Sequence, residues 1–212
     1  MAAFLPGDDE RSVHHTPTPP GKVIVPPEEA VSTMIHGTWG WRGGWWRPRS
    51  GDFHTFILNS HRPNLYSGGA TYSWSGRYNV GDRRLAVSDF CAWAGEPAVA
   101  GQGIQTLFAH SYGGEVAVRA ALAGAQVSEL VLLSVPVNRH IRKVITDRPG
   151  IRVVDVRLRL DPVLALARNI RQRVPPGPNV ASVLLKFWRL DHGATHKEHV
   201  WKKEAIAELG QI

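Results

Sequence analysis

Residues 104–114, with the sequence IQTLFAHSYGG, join an apolar run to a serine and two glycines. The run 104–109 has the length and composition of a buried strand, and 113–123 has the alanine-rich composition of a helix that ends at Gly124. Ser111 is therefore predicted to lie on a sharp turn between a strand and a helix. Such a turn raises a hydroxyl above the edge of a sheet, and small residues must flank it because the two backbones nearly touch.

The rest of the chain repeats this alternation of strand and helix. Apolar runs with strand composition occur at 30–35, 66–74, 129–135, 151–160 and 183–189. Helical patterns occur at 82–94 and 200–209. The run at 151–160 alternates, which predicts a strand with one wetter face near a sheet edge. Buried strands alternating with helices indicate an α/β fold with a mostly parallel central sheet flanked by helices.

Length and composition favour a single core. The chain has 212 residues, of which 43% are hydrophobic. Residues 1–21 include TPTPPG and are predicted to be extended or flexible, and 22–212 are predicted to form one domain. Few residues separate the runs at 129–135 and 151–160, so we expect a minimal fold without a helical lid. Neither a secretory leader nor a transmembrane run is evident, which favours a cytoplasmic location.

Candidate functional residues follow the predicted strands, where parallel sheets place their sites. His36-Gly37-Thr38 follows the first strand, and the N–H groups of Thr38 and Tyr112 are candidates for an oxyanion hole. Asp161 follows the alternating strand, where a carboxylate can orient a histidine, although it could equally cap the next helix.

A group of histidines follows the last strand. His192 comes first and is the candidate general base, with His196 and His199 as rivals. The chain has no HExxH motif and no acidic residue at a persuasive ligand spacing, so we expect neither a metal nor another cofactor.

The combined order of oxyanion loop, Ser, Asp and His resembles that of α/β-hydrolases of the lipase and esterase kind. The resemblance covers residues 30–209. The stretches 71–94 (TYSWSGRYNVGDRRLAVSDFCAWA) and 191–201 (DHGATHKEHVW) look like conserved segments of related hydrolases. Three positions depart from the family pattern, namely Ala109, Asp191 and Gly193.

This resemblance implies a serine hydrolase that cleaves carboxylic esters through Ser111, His192 and Asp161. A thioesterase, an amidase or an acyltransferase on the same fold is an alternative, as is a non-catalytic binding protein. The expected partner is a small-molecule or lipid-like ester, and the oligomeric state stays open. The net charge is +7, but no nucleic-acid motif accompanies it, so no nucleic-acid partner is expected.

Aromatic side chains crowd the segment after the oxyanion loop. We predict substrate-binding roles for Trp39, Trp45 and Trp46, and for His110 beside the nucleophile. The alternative for the tryptophans is a satellite hydrophobic cluster that holds a long loop in place.

Overall fold

A five-stranded sheet forms the centre of the molecule. The computed structural model describes residues 30–69, 71–96, 99, 103–166, 173–186 and 190–212. The strands lie in the order β1-β2-β3-β4-β5, and every neighbouring pair is parallel. Their bounds are Val31–Ile35, Ile104–His110, Val127–Leu133, Arg152–Leu158 and Val180–Leu185. The predicted α/β class with a parallel sheet is confirmed.

Helices cover both faces of this sheet. One core cluster packs β2 and β3 against α2, α3 and α4, and the other packs the sheet against α1, α6 and α7. The helices are α1 (Asp52–Ser60), α2 (Val80–Ala94), α3 (Gly113–Leu122), α4 (Arg139–Asp147), α5 (Pro162–Leu166), α6 (Glu198–Glu204) and α7 (Ile206–Gly210). Because both faces are covered, the apolar residues of β1 to β4 are buried, whereas the edge strand β5 leaves Leu184 exposed. No helix in the described ranges is long and apolar enough to cross a membrane.

The prediction of a strand at 66–74 is wrong. The chain touches the sheet there through one bridge between Ser32 and Leu65, and then runs irregularly. Side-chain bonds anchor the segment instead of a backbone ladder: Tyr72 donates to the carbonyl of Ala86 (2.8 Å), and Trp74 donates to that of His36 (2.8 Å). The aromatic residues of this segment give it the composition of a buried strand, but its backbone does not pair as a strand.

The prediction that β4 has one wetter face and lies near a sheet edge is also wrong. β4 is not the edge strand, since β5 lies beyond it, and its polar residues Asp155 and Arg157 are buried. Asp155 accepts two hydrogen bonds from Arg157, both of 2.6 Å. A buried carboxylate and guanidinium that satisfy each other produce the same alternating pattern as a solvated face.

Two helical features differ from the expectation. The helix α4 was not predicted; Asn138 caps it by accepting from the N–H groups of His140 and Ile141. The closing helix is two short helices, because Ala205 between α6 and α7 adopts a left-handed backbone with φ of 50°. The predicted segment 1–21 and residues 187–189 of the last predicted strand lie outside the described residues.

Candidate active site

Ser111 lies on a strained turn between β2 and α3. Its φ is 51°, in the left-handed region that side chains other than glycine rarely adopt. Its N–H donates to the carbonyl of Leu133 on the neighbouring strand (2.9 Å), which continues the sheet pairing through the turn. The side chain is 5% exposed, so the turn presents a nearly buried hydroxyl. Local strain of this kind is concentrated at functional sites.

Two glycines allow the turn to pack closely. A Cβ on Gly113 would lie 2.4 Å from the carbonyl oxygen of His36, and one on Gly114 would lie 2.3 Å from Val135. Gly113 therefore lets α3 approach the end of β1, and Gly114 lets it approach the segment after β3. Ala109 stands at the end of β2 and is fully buried, so the sheet accommodates the methyl group at this departure from the family pattern.

Asp161 and His192 are brought together from the ends of β4 and β5. Nδ1–H of His192 donates to Oδ2 of Asp161 (2.7 Å), while Oδ1 of Asp161 accepts from the N–H groups of Val163 and Leu164 at the start of α5. Asp161 thus both orients a histidine and caps a helix. Burial raises the pKa of Asp161, but the hydrogen bonds from His192 and from the N–H of Leu164 contribute to a net lowering of this pKa. The carboxylate is therefore ionised at neutral pH.

The opposite nitrogen of His192 is free to act. Nε2 is buried and has no hydrogen-bond partner among the described residues. His196 instead stacks on Trp45, with ring centroids 4.1 Å apart, and burial lowers its pKa to about 3. His199 is exposed on α6. Of the three histidines, His192 is the one that hydrogen bonds to Asp161.

The loop after β1 lies against the nucleophile. A Cβ on Gly37 would lie 2.8 Å from Cβ of Ser111, so the backbone that leads to Thr38 touches the turn. Over the described chain, the N–H groups of Thr38 and Tyr112 donate to no protein acceptor. The N–H of Trp39, by contrast, donates to the carbonyl of Gly76 (2.9 Å). The oxyanion-hole role of Thr38 and Tyr112 is compatible with this arrangement and stays a prediction.

The predicted aromatic residues divide into two groups. Trp39 is 63% exposed, and Trp45 is half-buried between His196 and His110. Trp46 is only 5% exposed, and its indole N–H donates to the carbonyl of Gly40 (3.0 Å). This ring therefore supports the loop from inside, and the substrate-binding role of Trp46 stays a prediction.

Sequence reasoning missed Tyr78 as a member of the site. Its hydroxyl lies 3.2 Å from that of Tyr112, the residue after Ser111, and its ring is 63% exposed. Burial and the hydrogen bond to Tyr78 raise the pKa of Tyr112 to about 12, so the phenol of Tyr112 is neutral. Tyr78 comes just before α2 and has no spacing relationship to Ser111, so no sequence signal could have found it.

The fold itself is known from other proteins. A solved α/β serine hydrolase homologue from Coxiella burnetii matches 87% of this chain and 85% of its own length, with a TM-score of 0.50 and 16% sequence identity. This chain has an α/β-hydrolase fold. An arylesterase (TM-score 0.46, 12% identity, covering 88% and 78%) and an esterase from Pyrococcus furiosus (0.45, 15%, covering 87% and 81%) are also similar in structure. No family model matches the sequence, and no curated protein matches it.

In an α/β-hydrolase fold the functional residues follow the strands in the order nucleophile, acid, base. Ser111 follows β2, Asp161 follows β4 and His192 follows β5. All three lie beyond the carboxyl ends of parallel strands, so they meet at one edge of the sheet.

Proposed function

We propose that this protein is a serine hydrolase that cleaves carboxylic esters through an acyl-enzyme intermediate. The observation that carries the proposal is the 2.7 Å bond from Nδ1 of His192 to Asp161, which leaves Nε2 buried and unpartnered at the edge of the sheet where Ser111 stands. A histidine held in this tautomer is a general base, and a serine on a strained turn is the nucleophile that it serves.

In the acylation step, Oγ of Ser111 attacks the ester carbonyl and its proton passes to Nε2 of His192. The carboxylate of Asp161 stabilises the imidazolium that forms. The N–H groups of Thr38 and Tyr112 donate to the developing oxyanion, and the positive end of α3 adds to this stabilisation. The tetrahedral intermediate then expels the alcohol, which takes the proton from His192.

In the deacylation step, His192 removes a proton from water, and the resulting hydroxide attacks the acyl group on Ser111. The proton returns to Oγ as the carboxylic acid leaves, so the enzyme is restored. No step requires a metal or an external redox partner.

The rim of the site favours a substrate with apolar or aromatic groups. Trp39 and Tyr78 are exposed next to the two oxyanion donors, and Trp45 packs against His110 beside Ser111. Aromatic rings offer large apolar contact with one polar end, which suits an ester with a bulky acyl or alcohol group.

Labelling with a fluorophosphonate tests the proposal. A single mass adduct is expected on the wild type and none on Ser111→Ala. Ser128→Ala is the matched control, because this exposed serine lies at the opposite end of the sheet on β3 and should keep the adduct. A folded wild-type protein that forms no adduct would refute the proposal, and an adduct on Ser111→Ala would place the nucleophile elsewhere.

A further inference from the structure

His110 connects the two halves of the candidate site. It is the last residue of β2, directly before Ser111, and its side chain is buried. Its Nε2–H donates to the carbonyl of His192 (3.3 Å), a residue 82 positions away in the chain. The strand that carries the serine is therefore bonded directly to the turn that carries the base.

The ring of His110 is fixed on several sides. Its centroid lies 4.7 Å from that of His192 and 4.5 Å from that of His196, and Trp45 meets it edge-on at 5.8 Å. On the remaining side, a Cβ on Gly37 would lie 3.1 Å from Nδ1. This packing leaves the imidazole little freedom to turn, so the direction of its Nε2–H is set by its surroundings.

The turn that carries His192 comprises residues 191–197. The other hydrogen bonds that hold this turn do not involve Ser111 or its strand. Asp191 accepts from the N–H of Gly193 (3.0 Å), and Trp201 donates to the carbonyl of Thr195 (2.8 Å). Asp161 contacts only Nδ1 of the His192 ring. Across the described residues, the bond from His110 is the one hydrogen bond between this turn and β2.

We propose that His110 is a positioning residue, which holds the backbone of His192 at the correct distance from Ser111 by donating Nε2–H to its carbonyl. The inference rests on the proposed function, because a base can be positioned only if His192 acts as one. His110 itself touches neither the reacting carbonyl nor the transferred proton.

The charges around His192 are consistent with this role. Burial, together with the neighbouring His196 and His192, holds the pKa of His110 well below its usual range, so its ring is neutral. His196 is neutral as well, with Asp191 and Lys197 as its charged neighbours. A neutral His110 can donate from Nε2 without adding a second positive charge beside the imidazolium that forms on His192.

Three substitutions separate the hydrogen bond from the shape of the ring. In His110→Gln the amide nitrogen reaches about as far as Nε2, in His110→Asn it reaches about as far as Nδ1, and His110→Phe keeps a ring without a donor. We expect kinact for a fluorophosphonate to fall roughly 10- to 100-fold in the Phe and Asn variants, with KI unchanged, because the base is misplaced. The Gln variant should recover most of the rate.

A matched control comes from His54 on α1. It is also buried and also donates Nε2–H to a backbone carbonyl, that of Tyr66 (3.1 Å). His54→Phe should lose a similar amount of stability while kinact stays at the wild-type value. If His110→Phe and His54→Phe had equal kinact, His110 would be merely structural and the inference would fail.

A failure of the proposed function and a failure of the positioning role give different experimental results. A folded wild type without any adduct refutes the proposed function, whereas a wild-type adduct with undiminished kinact in His110→Asn overturns the positioning role alone. Ring-nitrogen NMR of the wild type tests the bond even if the variants do not fold. We expect the Nε2–H tautomer of His110, and an Nδ1–H tautomer would overturn the inference.

Discussion

Ser111 and Ser134 occupy equivalent positions at the ends of neighbouring strands. Ser111 follows β2 with φ of 51°, and Ser134 follows β3 with φ of 49°. Each donates its N–H to the next strand along the sheet, Ser111 to Leu133 (2.9 Å) and Ser134 to Val156 (2.8 Å). The sheet therefore holds two left-handed serines in register, and sheet pairing offsets the strain in each.

The strain at Ser111 predicts an unusual order of stability between two variants. Ser111→Gly should be more stable than Ser111→Ala by about 1 kcal/mol, because only glycine adopts a left-handed backbone without steric cost. At a position with a right-handed or extended backbone, the alanine variant would be the more stable of the two. Thermal unfolding of the two variants measures the difference, and an alanine variant of equal or greater stability would mean that the turn is relaxed.

The contact between α3 and the end of β1 predicts a large penalty at Gly113. Gly113→Ala should reduce the free energy of unfolding by about 1–3 kcal/mol, because the added methyl meets a backbone oxygen that cannot rotate away. Gly150→Ala is the control, since a Cβ there would have no atom within 4 Å. Urea denaturation of both variants provides the comparison, and equal midpoints would contradict the close packing.

The bond between Asp161 and His192 predicts a specific loss of reactivity. Asp161→Asn should lower the rate of fluorophosphonate labelling by roughly 10³- to 10⁴-fold with the fold intact, because an amide N–H favours the wrong tautomer of His192.

Asp191→Asn serves as the control for this prediction. Asp191 precedes His192 directly, but it faces the N–H of Gly193 and the ammonium of Lys197. An asparagine oxygen can still accept from Gly193, so the labelling rate should change little. Equal losses in the two variants would show that Asp161 acts through general electrostatics and not through the tautomer.

Because several of its histidines are buried, we expect the folded protein to lose stability in mild acid. Burial lowers the pKa of His36 to about 4 and that of His196 to about 3, against an ordinary value of 6.5. The unfolded chain therefore binds these protons first, and the free energy of unfolding falls as the pH decreases below 6.5. The contribution of His36 is lost by about pH 4, and that of His196 by about pH 3.

Chemical denaturation at a series of pH values checks this dependence. His36→Gln, which cannot be protonated, should flatten the slope between pH 6.5 and about 4. An unchanged slope in this variant would mean that His36 binds a proton as readily in the folded protein as in the unfolded chain.

The sequence could predict which residues lie at the ends of strands, because this depends only on where each strand ends along the chain. Apolar runs located the strands, and parallel pairing then carried Ser111, Asp161 and His192 to one edge regardless of their separation in sequence. The polar residues of β4 were misread because Asp155 and Arg157 satisfy each other inside the core, which hydropathy alone cannot distinguish from exposure to water. The burial of Trp46 and the contact between Tyr78 and Tyr112 depend on how two loops fold back, and no periodic pattern encodes that.

The placement of His192 after β5 also has a consequence for biosynthesis. The strands lie in the sheet in the order in which the ribosome makes them, so each new strand has a neighbour that has already been translated. The serine turn can form as soon as β2, α3 and β3 have emerged, but its partner histidine appears only after the whole sheet has been translated. Between the synthesis of Ser111 and that of His192, the nascent chain therefore holds the proposed nucleophile without its proposed base.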